Sequence, residues 1–184
     1  MRVIAGEAKG QHLASPRNSA TRPTTELVRG AIFSMLEAMS DDWSLVLDMY
    51  AGSGALGIEA LSRGAGEVDF VEQNARCCAI IRDNLKRIQL EDRAHVYCWS
   101  AENAISRLNK EYSVILMDPP YSQSLLKGAP EKLFSSPLVG PDSTVVVQHS
   151  CHQTLMADTG CIKLVRTRNY GDTCISIYRR GDSL

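Results

Sequence analysis

An apolar run that ends on a carboxylate and turns through glycines into a helix constrains this chain more than any other feature. Val46-Leu47-Asp48 is followed within four residues by Gly52-Ser53-Gly54-Ala55-Leu56-Gly57. A buried strand followed by a G-x-G-x-x-G turn and a helix opens a strand–helix–strand unit, because the glycines let the turn close tightly. The rest of the chain keeps that rhythm. Strands are expected at 45–49, 68–71, 94–98, 112–117 and 143–148, from short apolar runs bounded by turn residues. Helices are expected at 55–63, from Asn74 to about Ile88, and at 102–108. Residues 162–167 and 173–178 alternate around Tyr170-Gly171-Asp172, which predicts an antiparallel pair. The expected fold is α/β: a mostly parallel sheet covered on both faces, with an antiparallel C-terminal edge pair.

Ahead of this unit, residues 2–5 and 11–14 flank a turn bounded by Gly6 and Gly10 and predict a β-hairpin with Lys9 at its tip. Residues 15–23 read as a loop. Thr24 or Thr25 then caps a helix to about Met39, whose apolar face holds Leu27, Val28, Ala31, Ile32, Met35 and Leu36. Arg22 beside Pro23 gives the start of that helix an anion-binding character. The organisation expected is a hairpin extension over 1–20 and one domain over 21–184.

The 184 residues suffice for a sizeable core. No apolar run approaches the ~20 residues of a membrane span. The first residues carry a charge but no apolar segment of the secretory kind. These features predict a cytoplasmic protein with no membrane association. None of the six cysteines forms a C-x-x-C pair. In that compartment they are expected reduced, and Cys151 with His149 and His152 lacks the second ligand cluster that a metal site needs, so no metal is expected. The net charge of −1 hides an asymmetry: residues 1–30 carry five basic and two acidic side chains, and residues 163–180 carry five and one. Basic ends around an acidic middle suit a polyanionic partner.

The glycine turn alone is the dinucleotide fingerprint, and Asp48 argues against it. A dinucleotide sets its pyrophosphate at the helix N-terminus, where a carboxylate repels it. The same carboxylate suits a ligand with an ammonium group and no phosphate, such as S-adenosylmethionine. Glu72, at the end of the second strand, can accept from both hydroxyls of a ribose. Asn103-Ala104, after the third strand, is placed to meet the adenine, with Glu102 a rival acid and a plain helix cap the alternative for Asn103. Tyr50, Gly52, Gly54 and Gln73 complete the expected cofactor set.

Asp118-Pro119-Pro120-Tyr121 ends the fourth strand. Two prolines stiffen the loop and remove two N–H donors. The Asp118 carboxylate and the Pro119 carbonyl then present acceptors without donors, which suits an NH₂ group. Hydrogen bonds to both its hydrogens hold the nitrogen and aim its lone pair, and the Tyr121 ring can stack on the base that carries it. These four residues are the candidate catalytic set. Asp48, Glu72 and Asp118 all stand at strand ends, where ligands bind in such sheets.

With these residues in view, the stretch from Asp48 to Ala65 resembles the RsmD family of bacterial 16S ribosomal RNA guanine-N2 methyltransferases. The resemblance extends to Arg2-Val3-Ile4-Ala5-Gly6 with Lys9-Gly10, to Thr21-Arg22-Pro23-Thr24-Thr25 with Val28-Arg29, to Asp118-Pro119-Pro120-Tyr121 and to Tyr170-Gly171-Asp172-Thr173. It implies a Rossmann-like class I methyltransferase with a seven-stranded sheet and an N-terminal hairpin. It implies methyl transfer from S-adenosylmethionine to the N2 amine of a guanine in 16S rRNA, in the small ribosomal subunit or its assembly intermediate. The base must then be splayed out to reach Tyr121. The basic hairpin and the C-terminal strands become the expected phosphate contacts, with Lys9, Arg17 and Arg22 foremost among them, and the protein is expected to be a monomer. Tyr50 and Tyr121 stand where the family often has Phe, Gln148 where Glu is expected, and Asn103 where many members carry Asp. An N6-adenine or protein-amide methyltransferase would use a similar loop. A non-catalytic RNA-binding ribosome-assembly factor is the alternative of another class, and intact Asp118 and Glu72 argue against it.

Overall fold

The computed structural model describes residues 1–16, 25–39, 42–119, 129–153, 155–158 and 162–180. The strands are β1 (Leu45–Met49), β2 (Glu67–Val71), β3 (Ala94–Tyr97), β4 (Tyr112–Met117), β5 (Val139–Ser150), β6 (Ile162–Tyr170) and β7 (Thr173–Arg180). The helices are α1 (Glu26–Glu37), α2 (Ala55–Ser62), α3 (Ala75–Arg87), α4 (Ala101–Arg107) and α5 (Ala129–Phe134), with a 3₁₀ turn over Glu91–Arg93. One sheet holds all seven strands in the order β3-β2-β1-β4-β5-β7-β6. The first five pair in parallel, and β7 pairs antiparallel with both β5 and β6. This is the expected α/β architecture with its antiparallel edge. No helix among the described residues is long and apolar enough to cross a membrane.

Strand alternation divides the core into two layers. Val46, Val68, Phe70, Val114, Leu116, Val146, Ile175 and Ile177 face α1, α2 and α3. Leu47, Met49, Val71, Ile115, Met117, Val145, Val147 and Tyr178 face α4 and α5. Both faces are apolar because helices cover both.

The expected N-terminal hairpin closes on one antiparallel bridge, Arg2 with His12, with backbone bonds from the Val3 N–H to the Gln11 carbonyl (3.0 Å) and from the Leu13 N–H to the Met1 carbonyl (2.8 Å). It also bonds to α2: Glu59 accepts the N–H groups of Ile4 (2.8 Å) and Ala5 (3.0 Å), and Ser62 Oγ accepts that of Ala8 (3.0 Å). Val3, Ala8 and Leu13 join the main core. Three features depart from expectation. First, β5 begins at Val139 rather than Ser143. Gly140-Pro141-Asp142 has turn chemistry, yet Ser143 Oγ accepts the Gly140 N–H and donates to the Tyr112 carbonyl, carrying the strand past a register shift. Secondly, α5 lies where no helix is expected; its six residues are too few to show a helical period. Finally, Cys151 and Cys174 form a disulfide, contrary to the expectation of reduced cysteines. They lie 23 residues apart, but the antiparallel pairing of β5 with β7 brings their Cα atoms to 4.9 Å. Cys77, Cys78 and Cys98 are free thiols.

Candidate active site

The carboxyl ends of β2, β1 and β4 lie side by side and present Glu72, Asp48 and Asp118. Asp48 is buried. Its Oδ2 accepts the Gly57 N–H at 2.8 Å, which ties the first turn of α2 to β1. Its Oδ1 is buried and has no hydrogen-bond partner among the described residues. Burial pushes the Asp48 carboxyl up to about 7; the Gly57 N–H opposes the shift, and the charges of Asp118 and Glu72 add to it. The three carboxylates therefore share one electrostatic neighbourhood.

The turn between β1 and α2 is shaped by backbone conformation. Tyr50 adopts φ +70° and Gly54 φ +79°. Gly54 is the N-cap of α2 and supplies no side chain there. Gly57 answers a different need: a Cβ at this position would lie 2.3 Å from the ring of Phe70, so α2 packs on β2 only with glycine here. Tyr50 is half-buried, its hydroxyl has no partner among the described residues, and burial together with the Glu102 charge pushes it up to about 12.

Glu72 uses both carboxylate oxygens on backbone. Oε2 accepts the Gly52 N–H and Oε1 the Asn74 N–H, each at 2.8 Å. Each oxygen keeps a further lone pair. Gln73 beside it is exposed. Asn103 is exposed in the first turn of α4, and Ala104 is buried behind it. The Asn103 N–H donates to Ser100 Oγ, the N-cap of α4, at 3.3 Å. Ser100 thus stands between the end of β3 and Asn103. Pro119 is buried directly after Asp118. Pro120 and Tyr121, like Arg17 and Arg22, lie outside the described residues. Lys9 is exposed on the N-terminal turn, which bonds to Ser62 at the C-terminal end of α2, the end away from the glycine turn and the carboxylates.

One residue behind the turn escaped sequence reasoning. Asn84 is buried in α3, and its Nδ2 donates to the carbonyls of Ser53 (3.2 Å) and Ala14 (3.0 Å). Its Oδ1 accepts the Ala14 N–H at 2.8 Å. It braces the glycine turn against the N-terminal segment. The available signal was a polar residue on the same face as Ile81 and Leu85.

The donor set fits S-adenosylmethionine. Asp48 offers a buried carboxylate oxygen with no partner among the described residues, Glu72 keeps acceptor capacity beside the glycine turn, and neither suits a phosphate.

A family model described as "Conserved hypothetical protein 95" matches residues 1–179. "Ribosomal RNA small subunit methyltransferase D" of Escherichia coli K12 is 27% identical over 180 residues, covering 98% of this chain and 90% of that protein. The chain belongs to the RsmD family. A second relative, "Putative rRNA methyltransferase YlbH" of Bacillus subtilis, is 35% identical over 183 residues, 98% of this chain and 99% of its own length. The RsmD fold is also seen in the solved structure "Putative methyltransferase yhhF from Escherichia coli", with TM-score 0.86 and 27% identity over 98% of this chain and 97% of that one. RsmD membership and the sheet order agree on a class I methyltransferase fold.

Proposed function

We propose that this chain is an rRNA methyltransferase that moves the methyl group of S-adenosylmethionine to the exocyclic N2 amine of a guanine in 16S rRNA, on the small ribosomal subunit or its assembly intermediate. The observation that carries the reading is the meeting of Asp48, Glu72 and Asp118 at three adjacent strand ends, with one Asp48 oxygen buried and without a partner among the described residues. Family membership over nearly the whole chain supports the substrate class.

S-adenosylmethionine, when bound, supplies an electrophilic methyl on sulfur. Asp48 Oδ1 and the turn of Tyr50, Gly52 and Gly54 bind its amino-acid end. Glu72, with Gln73, accepts from the ribose, while its hold on Gly52 keeps the turn in shape. Asn103, Ala104 and the newly recognised Ser100 line the adenine side. Asp118 and the Pro119 carbonyl accept from the acceptor amine and aim its lone pair. Pro120 keeps the loop stiff, and Tyr121 stacks on the base. The amine's lone pair is delocalised into the ring, so positioning supplies most of the acceleration. Asp118 or water takes the proton as or after the nitrogen gains the methyl. Arg17 and Arg22 hold phosphates around the target and Lys9 holds one farther along the RNA, which positions the RNA without reading its sequence.

The test is transfer of labelled methyl from S-adenosylmethionine to unmodified small subunits, naked 16S rRNA and DNA in parallel, with digestion to nucleosides. Label in N2-methylguanosine, strongest on the particle, is expected. Label in N6-methyladenosine, or only in protein, overturns the assigned acceptor. Asp118→Ala should abolish transfer and leave cofactor affinity within a few fold; retained turnover by that variant removes Asp118 from its role.

A further inference from the structure

The cations of β6 are sorted onto one face by a β-bulge. Lys163, Arg166 and Arg168 are exposed on this edge strand. Strict alternation would set residue 163 on the face opposite to 166 and 168. The register shifts between Leu164 and Arg166: Leu164 pairs with Tyr178, Arg166 pairs with Ile177, and Val165 is the extra residue, 48% exposed. Lys163 therefore stands abreast of Arg179, Arg166 of Ile177 and Arg168 of Ile175. Residues 175, 177 and 179 share one face of β7, so the three cations share one face of β6.

That face is also the face of the catalytic carboxylates. Ile175 and Ile177 belong to the layer that holds Val46, Val114, Leu116 and Val146. Asp48 and Asp118 continue that layer by alternation along β1 and β4. The level matches too. Met117 pairs with Val147, so Asp118 stands abreast of Gln148; Gln148 pairs with Ile175, and Ile175 with Arg168. Three strand spacings separate Asp118 from Arg168, roughly 14 Å, which is the reach of a few nucleotides. Neither β6 nor β7 carries an acidic side chain, and Asp172 in their turn is the one acid from 162 to 180. Lys163 lies at the far end, where the β6 backbone bridges to Asp158.

Edge strands commonly carry charge and bulges that block pairing with another chain. That purpose is served by charge on either face. It does not require the bulge to bring all three cations to the face of the active site, with Arg168 at its level, and bulges beside active sites re-aim side chains.

We infer that Arg166 and Arg168, with Lys163 behind them, form a phosphate track along β6 that holds the RNA strand flanking the target nucleotide. This rests on the rRNA reading proposed above. The track adds affinity evenly across sequences, as phosphate contacts do.

The test compares the wild-type protein with two variants that change only exposed side chains. Arg166→Gln/Arg168→Gln removes the charge. Arg166→Thr/Thr167→Arg/Arg168→Asn/Asn169→Arg keeps the charge and moves it to the opposite face. Binding to unmodified small subunits is measured across a salt series, with unfolding temperature and binding of S-adenosylhomocysteine as controls for folding. Both variants should lose about tenfold in affinity, and both should have a log–log salt slope shallower by about 1.4, the share of two phosphate contacts on a single strand. A charge-moved variant that binds like wild type overturns the track and leaves edge protection as the explanation. A charge-removed variant that binds like wild type overturns it as well. Wild type that binds RNA with this dependence but transfers no methyl to it would sink the proposed reaction and leave the track standing. Methylation of subunits unimpaired in both variants at limiting subunit concentration would sink the track alone.

Discussion

Glu72 and Gly52, twenty residues apart in the chain, meet at 2.8 Å through a carboxylate oxygen and a backbone N–H. The second oxygen of Glu72 accepts from Asn74 at the same distance. The acid expected to bind a ribose thus also shapes the glycine turn. An amide would retain one acceptor and set an NH₂ against the other backbone N–H. Glu72→Gln should weaken S-adenosylhomocysteine binding by about tenfold or more, in line with ~1.5–3 kcal/mol for a hydrogen bond to a charged group. Calorimetry checks this, and unchanged affinity removes Glu72 from the cofactor site.

Asp48 has its pKa raised to about 7 from an ordinary 3.8, with burial the main cause. The folded state therefore holds this proton more tightly than the unfolded one. The stability it contributes is fully present below pH 4 and is lost as the pH rises through 7. Asp48→Asn keeps an acceptor for Gly57 and removes the buried charge. The unliganded variant should melt above wild type at pH 8, by at most about 4 kcal/mol, and the gap should close towards pH 4. The same variant should bind S-adenosylhomocysteine more weakly. A gap that does not vary with pH would contradict the raised pKa.

Gly57 packs against the fully buried Phe70 ring, with 2.3 Å available to a Cβ. Gly57→Ala should cost about 1–3 kcal/mol by overpacking. Phe70→Leu, destabilising alone, should recover part of that loss in the double variant. Denaturant unfolding of the four proteins gives the coupling; strict additivity would mean that the helix moves away without strain.

Glu59 and Arg29 form an ion pair at 3.5 Å with both side chains fully buried. Glu59 also accepts from Ile4, Ala5 and Arg63, and Arg29 donates to the Arg2 carbonyl. Burial holds the Arg29 pKa below its usual value, against the pull of Glu59. Removing one member leaves a buried charge without its counterion. Glu59→Ala should cost about 3–5 kcal/mol and release the first residues. Hydrogen exchange at Ile4, Ala5 and Ala8 should quicken before exchange in β1. Uniform quickening throughout would show that the segment is not held locally.

The strand–turn–helix over 45–62 was legible because each of its signals is local: an apolar run, an acid at its end, then glycines. The carboxylates at the ends of β1, β2 and β4 were legible for the same reason, since a parallel sheet brings successive strand ends to one edge. Asn84 was harder to see, because a polar residue on an apolar face announces burial but not its partner. Nothing local in Val165 marks a bulge. The register shift exists because Tyr178 and Ile177 on β7 pair with residues on either side of it.

By itself the sequence determined the order of elements, the alternating α/β architecture and the residues that meet at the strand ends, because these depend on periodicity and turn chemistry within a few residues. Only the tertiary structure decided that Glu59 and Ser62 hold the N-terminal segment, that Cys151 bonds to Cys174, and that the cations of β6 share a face with Asp118. Each of those facts is a pairing between distant segments, set by sheet register and by the need of buried backbone and charge to find partners.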